Sequence, residues 1–177
     1  MIRTRLAEPP DAGSISALLT ANVGDQGGML LGQWPPDAIE RRISNGQLIV
    51  IATSEEGRLL GALLTSEKGF GEAPLVQAML KAWPGRADAY VYGPVCISEE
   101  ARGRGVLEAL HAKLQALRPG REAILFIRED NPRSLKAHLR LGMREVARYD
   151  LKGERFIVLS DKPDDGAQCQ RDTLTNV

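Results

Sequence analysis

Apolar positions along this chain recur with two different periods, and each change of period marks a new element. Residues 2–6 alternate Ile2 and Leu6 with Arg3, Thr4 and Arg5, which predicts a short first strand that Pro9-Pro10-Asp11 breaks. From Asp11 the spacing lengthens: Ile15, Leu18 and Leu19 fall at i, i+3 and i+4, the stripe of an amphipathic helix. Residues 22–32 hold four glycines among polar residues and predict a loop. A second helix starts at Pro35-Pro36-Asp37, with Ile39 and Ile43 on one side and Glu40, Arg41 and Arg42 on the other. Residues 47–53 and 59–66 read as strands, and Ser54-Glu55-Glu56-Gly57 between them is good hairpin chemistry.

The second half repeats this vocabulary. Leu75, Ala78, Met79, Leu80 and Ala82 predict a short helix within residues 69–85, stopped by Pro84-Gly85. Residues 89–97 form a strand run interrupted at Gly93-Pro94. Proline cannot donate to a central ladder, so a bulge or a parting from a neighbour is expected there. Residues 105–117 predict a helix with Leu107, Leu110, Leu114 and Leu117 on its apolar face, ended by Pro119-Gly120. A compact strand over 123–127 follows. Asn131-Pro132 then opens another helix, asparagine as N-cap and proline as first residue, and Gly142 ends it. Strands over 143–151 and 155–159 turn at Lys152-Gly153. The order β-α-α-β-β-(α)-β-α-β-α-β-β predicts an α/β protein with a mixed sheet and helices on both faces. Residues 1–160 are expected to form one domain and 161–177 a polar C-terminal tail.

Composition narrows the function classes. Of the 177 residues, 43% are hydrophobic, an ordinary share for a soluble globular protein. Lys plus Arg (23) balance Asp plus Glu (23), so no global field gathers nucleic acid or anionic membrane, and neither is an expected partner. Cys96 sits in a strand run and Cys169 in the tail, which suggests no disulfide framework. With two histidines and no clustered cysteines, no metal is expected. No basic-then-apolar leader opens the sequence and no apolar run nears the length of a bilayer span, so the expected location is cytoplasmic.

Against that neutral background one cluster stands out. Arg102-Gly103-Arg104-Gly105 follows a strand run and opens a helix. Backbone amides at a glycine-rich helix start converge on one point beside the positive end of the helix dipole, and two arginines add full charges: a seat for phosphate or pyrophosphate. A plain glycine loop before a helix would look similar. A dinucleotide-binding fingerprint, with Glu129 or Asp130 as the ribose contact, fits less well. Its third small residue would fall at Glu108, and five residues separate Ile97 from Gly103 where that fingerprint follows its strand at once.

Two spaced motifs decide the matter further. Arg102-Gly103-Arg104-Gly105-Val106-Leu107 resembles the acetyl-CoA signature Arg/Gln-x-x-Gly-x-Gly/Ala of the GNAT-type N-acetyltransferases, with Leu107 where that family prefers a short side chain. Asn131-Pro132-Arg133-Ser134, then His138, Gly142 and Met143, resembles its second signature, Asn-x-x-Ser/Ala-x-x-x-Tyr-x-x-x-Gly-Phe. Here His138 replaces the tyrosine and Met143 the phenylalanine. The resemblance spans residues 2–159.

It implies a GNAT-like, mostly antiparallel mixed sheet with acetyl-CoA, the acyl donor, lying where the fourth and fifth strands splay. The backbone of Val95, Cys96 and Ile97 would pair with the pantetheine arm. Gly103, Gly105 and the amides from Arg102 through Val106 to Leu107 would hold the pyrophosphate. The side chains of Arg102 and Arg104 either reach phosphate or stay in solvent, and Asn131 and Ser134 either start their helix only or also touch the cofactor. An amine attacks the thioester directly, so the protein must orient it, keep it uncharged and supply a proton to the departing thiolate. His138 would inherit that last role from the tyrosine, although a reference pKa of about 6.5 leaves only a minor charged fraction at neutral pH; otherwise it is a plain helix residue. Asp88, Tyr90 and Tyr92 are the candidates for taking the amine proton, none of them singled out.

Cys96 is expected to be packed and His111 exposed. Met29, Leu30, Trp34, Phe70 and Trp83 are either an apolar wall of the acceptor pocket or core. The expected acceptor is a primary amine of a small molecule or of a peptide amino terminus. A homodimer is common in similar proteins, though no segment demonstrates one. The competing reading is a non-catalytic acyl-CoA-binding or sensing protein on the same fold.

Overall fold

A computed structural model describes residues 1–24, 29–70 and 73–162. Parts of the expected 22–32 loop and 69–85 insertion, and residues 163–177 of the expected tail with Cys169, lie outside the described residues. The strands are β1 (Arg3–Leu6), β2 (Ile49–Thr53), β3 (Leu59–Glu67), β4 (Tyr90–Ile97), β5 (Ala123–Arg128), β6 (Arg144–Leu151) and β7 (Glu154–Ser160). They form a seven-stranded sheet in the order β1-β2-β3-β4-β5-β7-β6. The β1–β2, β2–β3, β5–β7 and β6–β7 pairs are antiparallel and β4–β5 is parallel: the sheet is mixed, as the element order implied, and mostly antiparallel, as the resemblance implied. The helices among the described residues are α1 (Ala12–Thr20), α2 (Pro36–Ser44), α3 (Pro74–Ala82), α4 (Val106–Leu117) and α5 (Pro132–Arg140).

The chain divides into two compact units. One comprises Met1–Ser66 and Gly93–Pro119, the other Glu67–Tyr92 and Gly120–Val177, so β4 changes unit between Tyr92 and Gly93. In the first unit, the alternation of the β2–β3 hairpin sends Ile49, Ile51, Ala62 and Leu64 to one face, where they pack with Ile15 and Leu19 of α1, Ile39 of α2 and Cys96. Each fully buried Ile or Leu contributes about 1.5–3 kcal/mol. On the other face, a side chain at Gly61 would strike Val106 and Leu110, which places α4 there.

The second unit has its own core. Met79 of α3, Trp83, Ala89, Val91, Ile124 and Val158 pack on one face of the sheet. Tyr92 projects from the opposite face to that of Val91 and meets His138 of α5 edge-on, with ring centroids 5.6 Å apart. Ser160 belongs to β7, and the carboxylate of Asp161 accepts the amide of Ala123 at 2.8 Å.

Candidate functional site

The glycine turn lies in the first unit. Behind β4 a 3-10 turn (Glu99–Ala101) leads into Arg102, and Gly105 is the N-cap of α4 in left-handed geometry, φ +80. Gly103 is likewise left-handed, φ +74. Among the described residues, and leaving out each glycine's chain neighbours, no atom lies within 4 Å of where a side chain would start on either glycine. Glycine is demanded here by the backbone angle, and the turn's outer face is open for a ligand to approach. The first amides of α4 have no intrahelical acceptor, so the geometry is that of an anion seat.

Leu107, long where the resembled family prefers a short side chain, is buried in the core. Arg102 and Arg104 part company. Arg102 donates from Nη2 to Oδ1 of Asn22 at 2.9 Å and from Nε to the Ile97 carbonyl at 3.4 Å, tying the end of α1 to the turn. Asn22 was hidden in a glycine-rich segment 80 residues away, and no local pattern announces such a contact. Arg104 is exposed and edges a cavity of about 560 Å³ together with Leu60, Val106, Glu100 and Arg58, the last two joined as an ion pair.

Val95 and Ile97 are partly exposed on β4, while Cys96 turns into the core. Burial pushes the Cys96 thiol up to about 12, which leaves essentially no thiolate nucleophile at neutral pH.

The second motif lies in the other unit. Asn131 caps α5, its Oδ1 accepting the amide of Ser134 at 3.1 Å, as its sequence position indicates. His138 is 5% exposed, with Nδ1 2.9 Å from the Ser134 carbonyl and 3.4 Å from its hydroxyl. A carbonyl oxygen only accepts, so Nδ1 carries a proton in this arrangement. Tyr90 and Tyr92 are each 2% exposed. Burial, reinforced by Tyr90 and then by Asp161, raises the Tyr92 phenol far above its usual range. Tyr92 therefore keeps its proton at neutral pH. Tyr90 lies under the guanidinium of Arg121.

The expected apolar wall separates into core and surface. Leu30 and Trp34 pack on the first core and Trp83 belongs to the second, while Met29 and Phe70 are exposed. His111, expected at the surface, is buried. It lies four residues from Leu107 and three from Leu114, on their face of the helix; its neighbours Glu108 and Lys113 are poor guides to that face. Leu117, expected on the same face, is exposed instead.

No family model and no curated protein matches the sequence. Solved structures do match. An acetyltransferase of the GNAT family from Streptococcus agalactiae 2603 is 18% identical, with 90% of this chain and 94% of that one covered at a TM-score of 0.68. The chain has the GNAT acetyltransferase fold. The ribosomal-protein-S18-alanine N-acetyltransferase of Escherichia coli matches at 14% identity, TM-score 0.64, over 90% and 92% of the two chains. The protein yncA of Salmonella typhimurium, solved with its cofactor acetyl-CoA, matches at 16%, TM-score 0.67, over 93% and 95%. Identities this low establish the GNAT fold alone. Among the described residues no group of three or more His, Cys, Asp or Glu side chains could hold a metal ion, and no helix is long and apolar enough to cross a membrane.

Proposed function

We propose that this protein is an N-acetyltransferase that moves the acetyl group of acetyl-CoA directly to a primary amine of a small molecule or a peptide amino terminus. The observation that carries the reading is the open, doubly left-handed turn at Gly103 and Gly105 on a GNAT fold. Its amides and the start of α4 suit the pyrophosphate of CoA. The exposed guanidinium of Arg104 adds charge beside them, whereas Arg102 acts chiefly by holding the turn to Asn22. The backbone of Val95–Ile97 is the candidate partner for the pantetheine arm. One of its amides could polarise the acetyl carbonyl as an oxyanion donor. The high thiol pKa of Cys96 supports direct attack by the amine without an acyl-enzyme. Asn131 and Ser134 build the start of α5, and His138 takes the motif position that handles the proton of the CoA thiol. A cytoplasmic setting accords with the reading.

Release of free CoA thiol with an amine panel tests it: acetyl-CoA-dependent release with at least one amine is expected. A second reading, non-catalytic acyl-CoA binding, is favoured by one observation. Neutral His138 with its proton on Nδ1 cannot donate from Nε2. Tight acetyl-CoA binding with no thiol release from any amine would establish that reading instead.

A further inference from the structure

We propose that the outer face of α5 is a docking surface for a short acidic segment of a partner protein. Arg133, Lys136 and Arg140 follow one another at spacings of three and four on this helix, so their side chains form one row along it. All three are exposed, whereas His138 is the buried residue of α5. Among the described residues none of the three side chains has an ion-pair or hydrogen-bond partner. The carboxylates that flank the helix are committed to other arginines: Asp130 to Arg128 at 2.6 Å, Glu129 to Arg148 at 2.9 Å and Glu145 to Arg148 at 2.6 Å.

Helix stability does not account for the row. α5 holds no Asp or Glu, and Arg133 lies in its first turn, where the helix dipole favours an anion and disfavours a cation. Like charges three and four residues apart repel, Arg133 with Lys136 and Lys136 with Arg140. Arg140 alone, in the last turn, suits the dipole. Local conflicts of this kind, in a chain whose total charge is balanced, mark a surface that awaits the opposite charge.

The row also selects among anionic partners. From Arg133 to Arg140 it rises about 10 Å, the reach of about three residues of extended chain and too short for the run of phosphate contacts by which nucleic acids bind. Leu139, 45% exposed, adjoins Lys136 at i+3 and offers an apolar anchor beside the charges. Three cations next to one aliphatic side chain fit a short run of Asp or Glu beside a Leu, Ile or Phe. The balanced charge of the chain agrees, since the rest of the surface gives a long polyanion no net attraction.

Fluorescence anisotropy with a labelled peptide of Glu and Ser around one Leu tests the proposal, with the Gln version of that peptide and a single-stranded oligonucleotide for comparison. Saturable binding of the Glu peptide is expected, weakened by added salt and absent for the Gln peptide. Binding should fall about tenfold or more in Arg133→Glu and in Lys136→Glu, and should persist in Arg3→Glu, the same charge change at an exposed position of β1. Arg133→Glu should also raise the urea midpoint by relieving the first turn, so its loss of binding is not a loss of fold. No binding of the Glu peptide, equal binding of the Gln peptide, tighter binding of the oligonucleotide or an equal loss in Arg3→Glu overturns the proposal. So does a weakening of acetyl-CoA binding in place of peptide binding in the α5 variants, which would give the row to the cofactor. These readouts need no acetyl transfer, so the proposed reaction stands or falls separately.

Discussion

Cys96 and Gly105, close together in the chain, show how differently single residues are committed. Cys96 is sealed in the first core, and its thiol titrates near 12. Native protein at pH 8 should therefore resist iodoacetamide at Cys96 and react there in urea, as peptide mass mapping would show; rapid native labelling contradicts the burial. Because the folded thiol stays protonated between the ordinary 9.0 and about 12, the unfolded chain binds fewer protons in that window, and ionisation of Cys96 lowers stability as pH rises through it.

The glycine turn is the opposite case, open to its surroundings and governed at Gly105 by one backbone angle. Gly105→Ala should cost about 1–2 kcal/mol from left-handed strain yet still bind acetyl-CoA. Gly105→Glu, which sets a carboxylate where the pyrophosphate belongs, should abolish binding, as calorimetry on both variants would show. The glycines were legible at this scale because a motif announces them. The inward turn of Leu107 and the burial of His111 were not, because helix faces follow from rows of residues three and four apart and the packing selects among the rows.

Caps and breakers made most elements readable. Pro36, Pro74 and Pro132 each stand at the first position of a helix, and Asn131 caps α5 with its own side chain. Asn131→Ala should lower stability by about 1 kcal/mol in urea denaturation. It should also disturb the His138 ring through Ser134, which the histidine NMR signals would report; an unchanged spectrum and midpoint would leave Asn131 without its capping role. The 3-10 turns at Pro9–Asp11 and Glu99–Ala101 escaped the pattern, being too short for any periodicity. So did the division of β4. Its pairs with β5 are Tyr90↔Ala123 and Val91↔Ile124, ahead of Gly93, and the proline signal indicated an interruption without saying which residues change company.

For the molecule as a whole, the alternation of strands and helices conveyed the mixed sheet, but the long-range polar contacts had no local signature. Glu122 is the clearest example. Fully buried in the second unit, it accepts Trp83 Nε1 at 3.0 Å, Ser160 Oγ at 2.6 Å and the Arg86 amide at 2.6 Å. Its partners lie 36 to 39 residues away, beyond the reach of any periodic reading. Glu122→Ala would strand three donors and should cost about 2–5 kcal/mol, seen as a lower urea midpoint; a loss below about 0.5 kcal/mol would show that water or neighbours replace the carboxylate. The function rests on one binding event above all. Calorimetric titration of the intact chain with acetyl-CoA should give saturable, one-to-one binding that Gly105→Glu removes, and an absence of heat at millimolar acetyl-CoA would contradict the proposed transferase.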